Sequence, residues 1–113
     1  MSLTLIQSQV LEALARAETD ADFAVHPSRV REALRDRRPR VQSENYVRVI
    51  LRELASMRVG GIPIVREEHI GRGRRAFRLL NKGRKLAEEI SAAYAATLAR
   101  SARVAEDARQ EGV

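Results

Sequence analysis

Residues 71–90 read GRGRRAFRLLNKGRKLAEEI, and three structural instructions follow one another within them. Gly71 and Gly73 mark a turn, Ala76 to Leu80 is a short apolar run of strand type, and Asn81 is suited to cap a helix that begins straight after it. The strand needs a partner, and Ile62 to about Ile70 supplies one, with Pro63 near its start at an edge position where a missing N–H does no harm. Together they predict a hairpin with Arg72, Arg74 and Arg75 at its tip. Residues 71–85 hold seven cations and no acid, and residues 29–40 hold a net +4, in a chain whose total is +6. Like charges packed this densely repel one another unless an anion sits among them, so the segregation predicts an anionic partner.

Upstream, the apolar residues recur with helical period. Leu3, Ile6, Val10, Leu11 and Leu14 predict a first helix from Leu3 to about Ala17, capped by Ser2, with Glu12 and Arg16 on its other face. Phe23, Ala24 and Val25 form an apolar run long enough for one small strand, and His26-Pro27-Ser28 punctuates the chain before a second helix over 28–37. That helix has a thin stripe of Val30, Ala33 and Leu34 among arginines, and Pro39 stops it. Ser43 is the expected cap of a third helix reaching Met57 or Arg58, with Val47, Ile50, Leu51, Leu54 and Met57 inward and Asn45, Arg48, Val49, Arg52 and Ser56 outward. Gly60-Gly61 ends it. The last helix is expected from Asn81 to about Gln110, with Leu86, Ile90, Tyr94, Leu98 and Ala105 along one side. It is long for so small a domain, and a helix needs a face to pack, which a second copy of the chain can provide.

At 113 residues, with 44% hydrophobic and 4% aromatic residues, the chain suits one aliphatic, mostly helical α+β core. No cysteine and only two histidines argue against disulfides and ordinary metal cages. The opening residues lack the basic, apolar and small-residue sequence of a signal peptide, and no apolar run approaches the ~18 residues of a membrane span. A cytoplasmic protein without cofactor or metal is expected. Gly71-x-Gly73 lacks the lysine-serine ending and the strand-to-helix setting of a phosphate-binding loop, and Ser28, Ser43 and Ser91 have no partnering base that the sequence identifies. No catalytic residue is assigned, and the chain is not expected to be an enzyme.

The order of helix, short strand, helix, helix, hairpin and helix resembles the winged helix-turn-helix superfamily over roughly residues 3–90. The likeness is most specific at RRAFRLLNKGRKLAEEI, Arg74 to Ile90, which is similar to the second wing strand and the start of the following helix in the PadR and MarR groups of bacterial regulators. Phe77, Arg78, Leu79, Lys82, Gly83 and Arg84 occupy the places of that pattern. The third helix lacks the glycine-threonine-leucine-tyrosine signature of PadR proteins. The resemblance implies a winged-helix unit over 1–85, continuous with a dimerisation helix over 86–113, and a dimeric, nucleoid-associated regulator of transcription, in all expectation a repressor, that binds double-stranded DNA.

An α-helix fits the major groove, where Asn pairs with adenine and Arg with guanine. Asn45, Arg48 and Arg52 are therefore the candidate base contacts, against the plainer reading of a solvated face paired with Glu44 and Glu53. Gln42, Ser43, Tyr46, Arg38 and Arg40 are candidates for the phosphate backbone, with Tyr46 equally suited to a half-buried role. Arg72, Arg74 and Arg75 are the wing contacts, placed to enter a minor groove or clamp the backbone. Leu86, Ile90, Tyr94 and Leu98 are the expected dimer contacts. His26 reads as a cap and His69 as an exposed strand residue. Two alternatives stay open: a winged-helix module that docks an acidic protein, and a DNA-binding accessory protein of replication, plasmid partition or a mobile element.

Overall fold

The computed structural model describes residues 3–18, 23–38, 40 and 42–111. Four helices and two antiparallel hairpins make an α+β architecture: α1 (Leu5–Ala17), α2 (Pro27–Leu34), α3 (Glu44–Ser56), β1 (Arg58–Val59), β2 (Ile62–Pro63), β3 (Val65–His69), β4 (Arg75–Leu79) and α4 (Asn81–Glu111). No described helix is long and apolar enough to cross a membrane.

The helix starts follow side-chain chemistry. Thr4 caps α1: its hydroxyl accepts from the Gln7 N–H at 3.2 Å, and Gln7 Oε1 accepts from the Thr4 N–H at 3.0 Å. The expected cap, Ser2, lies outside the described residues. Such a reciprocal pair needs Glu or Gln three residues on, which Thr4 has in Gln7, while Ser2 has Leu5 there. His26 caps α2 ahead of Pro27, its Nδ1 accepting from the Ser28 N–H at 3.2 Å. This helix ends three residues earlier than the sequence predicts: the amides of Arg35, Asp36 and Arg37 reach back only three residues, to the carbonyls of Glu32, Ala33 and Leu34. α3 runs as expected from the Ser43 cap, which accepts from the Tyr46 N–H at 3.1 Å.

The sequence prediction of one strand from Ile62 to Ile70 is corrected. Gly60 and Gly61, at φ +60° and +79°, are the two central residues of a tight hairpin that pairs Val59 with Ile62 and Arg58 with Pro63. Positive φ at both centres matches the twist of the flanking strands. The chain leaves this hairpin through buried Ile64 and enters the larger one, in which Val65 faces Leu79, Glu67 faces Phe77 and His69 faces Arg75. On the other edge of β4, Val25 and Phe77 exchange both backbone hydrogen bonds at 2.8 Å. The apolar run at 23–25 therefore contributes a single bridge, and Phe23 is exposed.

The core gathers Val10, Leu11 and Leu14 of α1, Val30 and Leu34 of α2, Val47, Leu51 and Leu54 of α3, and Ile64, Val65 and Phe77 of the hairpin segment. Each large side chain buried there contributes roughly 1.5–3 kcal/mol. Ala87, Leu86 and Ile90 of α4 close one side. Buried Gly83 allows that closure, because a Cβ at this position would overlap the Ile64 carbonyl, which also accepts from the Leu80 N–H. α4 has 31 residues, about 46 Å of helix at ~1.5 Å per residue, in a molecule of 62 × 30 × 24 Å. Residues 95–108 are exposed throughout.

Candidate functional site

Ser43 and the inward stripe of Val47, Ile50, Leu51 and Leu54 fix the rotation of α3, so Asn45, Arg48 and Arg52 fall on its outer side. The β3–β4 hairpin packs against the same helix and brings its tip alongside. Asn45, Arg48 and Arg52 line one cleft of about 410 Å³ with Gly73, Arg74 and Arg75 of the hairpin and His26 at the start of α2. Four guanidiniums, one carboxamide and one imidazole thus come together from three separate stretches of chain.

Two carboxylates set the charge balance of the cleft. Glu67 on β3 takes Arg75 at 2.9 Å and Arg52 at 3.4 Å, and Glu44 lies 3.5 Å from Arg48 and 3.6 Å from His26 Nδ1. These pairs are partly exposed, so each holds its arginine by about 0–1 kcal/mol and yields readily to a stronger anion. Among the described residues, neither Arg72 nor Arg74 has an acid at ion-pair distance. Behind the tip, Glu68 is bound by Arg78 at 2.7 Å and by Arg66 at 2.8 Å. Those hydrogen bonds hold the Glu68 carboxyl below its usual range.

The other sequence candidates lie outside this cleft. Ser43 spends its hydroxyl on capping, and Tyr46 stands half out at the entrance of α3. The Gln42 carbonyl accepts from Arg31 Nε at 2.5 Å, Arg38 Nη1 donates to Gln9 Oε1 on α1, and Arg40 and Arg72 are exposed. The cation-rich stretch is therefore not one surface. Arg78 is tied to Glu68, and Arg84 binds Glu18 through two nitrogens at 2.8 and 3.2 Å, which raises the arginine's pKa further. Lys82 lines a separate groove with Ile62 and Pro63. Sequence reasoning missed His26 and Gly73 as cleft residues. The proline after His26 signals its capping role, but its place in the cleft depends on the Val25–Phe77 bridge, which no local pattern announces.

A second cluster corrects the expectation for α1. Glu12 is 3% exposed rather than solvated, and it accepts from Arg16 Nε at 2.6 Å and Arg37 Nε at 3.0 Å. Arg16 reaches on to Asp36 at 3.1 Å, and the Arg37 guanidinium lies 4.0 Å over the Tyr94 ring. A carboxylate this buried is tolerated only with cations in contact, and the early end of α2 is what turns Arg37 inward. Of the expected dimer contacts, Leu86 and Ile90 pack on the chain's own core and Tyr94 lies under Arg37, because the first half of α4 is needed to close the domain. Leu98 is 53% exposed.

The chain matches no protein-family model, no curated protein and no solved structure.

Proposed function

We propose that this chain is a winged-helix protein that binds double-stranded DNA as a dimer and regulates transcription, as a binding protein and not a catalyst. The observation that carries the reading is the shared cleft, where the polar side of α3 meets Arg74 and Arg75. In this reading α3 enters the major groove. Asn45 addresses adenine and Arg48 or Arg52 guanine, each worth about 1–3 kcal/mol of discrimination. Arg74 and Arg75 take the adjoining backbone or a narrow minor groove, whose negative potential attracts arginine. Arriving phosphates displace Glu44 and Glu67 from cations that those acids hold only weakly.

The test is titration of labelled duplex, random and selected from a library, at two salt concentrations. Binding should weaken steeply with salt. Asn45→Ala or Arg52→Ala should cost affinity for the selected duplex alone, while Arg74→Ala should weaken binding to every duplex and lower the salt slope by about 1. Absence of binding to any duplex at low salt would sink the proposal. Equal losses on both duplexes for Asn45→Ala and Arg52→Ala would remove them from base readout. Docking of an acidic protein draws some support from Tyr46 and Val49, 42% and 46% exposed on α3, and the same titration separates it.

A further inference from the structure

From Ala87 onward α4 carries a single stripe with alternating steps of three and four residues: Ala87, Ile90, Tyr94, Thr97, Ser101, Val104 and Ala108. Such a stripe is the seam by which two helices pack. Its first three members are covered by the chain itself: Ala87 is buried, Ile90 packs on the core and Tyr94 lies under Arg37. Its last four members are exposed, and all four line an apolar groove of about 370 Å³ with Arg100 and Ala105 on the same side. Val104 is 64% exposed, and Leu98 beside the stripe is 53% exposed. In proteins most helical stability comes from packing one face, and residues 95–108 have no face covered by the chain itself.

We infer that the exposed half of α4 pairs with the same segment of a second copy in antiparallel orientation, Ser101 opposite the partner's Val104 and Thr97 opposite the partner's Ala108. The inference rests on the dimer reading above and adds the polarity and register. Charge decides both. In this register Arg100 stands opposite the partner's Asp107, and the two-fold axis repeats the pair, while Leu98 meets the partner's Ala105 on the other flank. A parallel pair would set Arg100 against Ala105 and leave it without an acid. A segment that carries a cation and an anion seven residues apart on one flank, with Ser101, Val104 and Ala105 between them on the seam side, is complementary to itself reversed.

The chain has no cysteine, so introduced thiols report on this pairing alone. Thr97→Cys and Ala108→Cys chains, mixed and oxidised without DNA, should give the mixed disulfide in excess, with little cross-linking of either chain by itself. Cross-linking of each chain to its own kind would show a parallel pair and overturn the inference. Arg100→Asp should raise the dimer dissociation constant roughly tenfold, and adding Asp107→Arg to the same chain should restore it. Both positions are exposed, so circular dichroism should show the fold unchanged. Sedimentation of the unliganded chain separates the two claims. A monomer at every concentration overturns the dimer reading itself, while a dimer with neither the mixed disulfide nor charge rescue overturns only the antiparallel register.

Discussion

Glu67 shows how one acid can serve a cation-lined cleft. Its carboxylate, 20% exposed, holds Arg75 and Arg52 together. It orients both guanidiniums, and it also opposes any phosphate that approaches them. Glu67→Gln keeps the shape and removes the charge. We expect tighter binding to random duplex with a smaller preference for the selected one, because Arg52 loses its support as the repulsion disappears. The ratio of the two dissociation constants, measured for both proteins, checks this. An unchanged ratio would leave Glu67 as a source of repulsion only. The acid was legible in the sequence only as one of two glutamates before His69. Which arginines it binds depends on strand pairing and on the packing of α3 against the hairpin, and neither has a local signature.

At the scale of the element, legibility followed periodicity and caps. α3 was readable to within two residues because Ser43 and the apolar positions Val47, Ile50, Leu51 and Leu54 at helical spacing agree. The β1–β2 hairpin was not, since two-residue strands are too short to show alternation, and a Gly-Gly pair signals the end of a helix and a hairpin turn equally well. α2 was overrun because its arginines are good helix formers, whereas Arg37 is drawn instead toward buried Glu12. At the start of α4, Gly83 was readable as part of a motif but not as a contact. Replacing it with Ala would favour the helix by ~1 kcal/mol in isolation, yet the Cβ would overlap the Ile64 carbonyl. We expect Gly83→Ala to destabilise the protein by roughly 1–3 kcal/mol, measured as a lower urea midpoint. A raised midpoint would mean that α4 moves away freely from the Ile64 segment.

For the whole molecule, the sequence indicated the kinds of elements and their order but not the meeting of His26, α3 and the hairpin tip in one cleft. That convergence needs Val25 fastened to Phe77, a contact between residues 52 positions apart. Antiparallel pairing of α4 would set each Tyr94 beside residue 111 of the other copy, which separates the two bodies by about 26 Å along the helices. A dimer whose α3 helices read successive turns of one face of a duplex needs them about 34–36 Å apart. Selection from a random library should therefore return inverted half-sites with centres about 10–10.5 base pairs apart. Recovery of single, unrepeated sites would argue against cooperation between the two copies.

Among the described side chains of α4, Tyr94 is the last that leans on the body, and the flat cation of Arg37 rests on its ring. Upstream the helix is bolted to the domain, and downstream it projects like the shaft of an oar. A plate lying on a plate, itself anchored to the carboxylate of Glu12, thus adds the outermost hold on a helix already seated by Leu86, Ala87 and Ile90. A rounded aliphatic group in place of the ring would remove that outermost hold, and two arms gripped one turn shorter would sweep a wider range of separations.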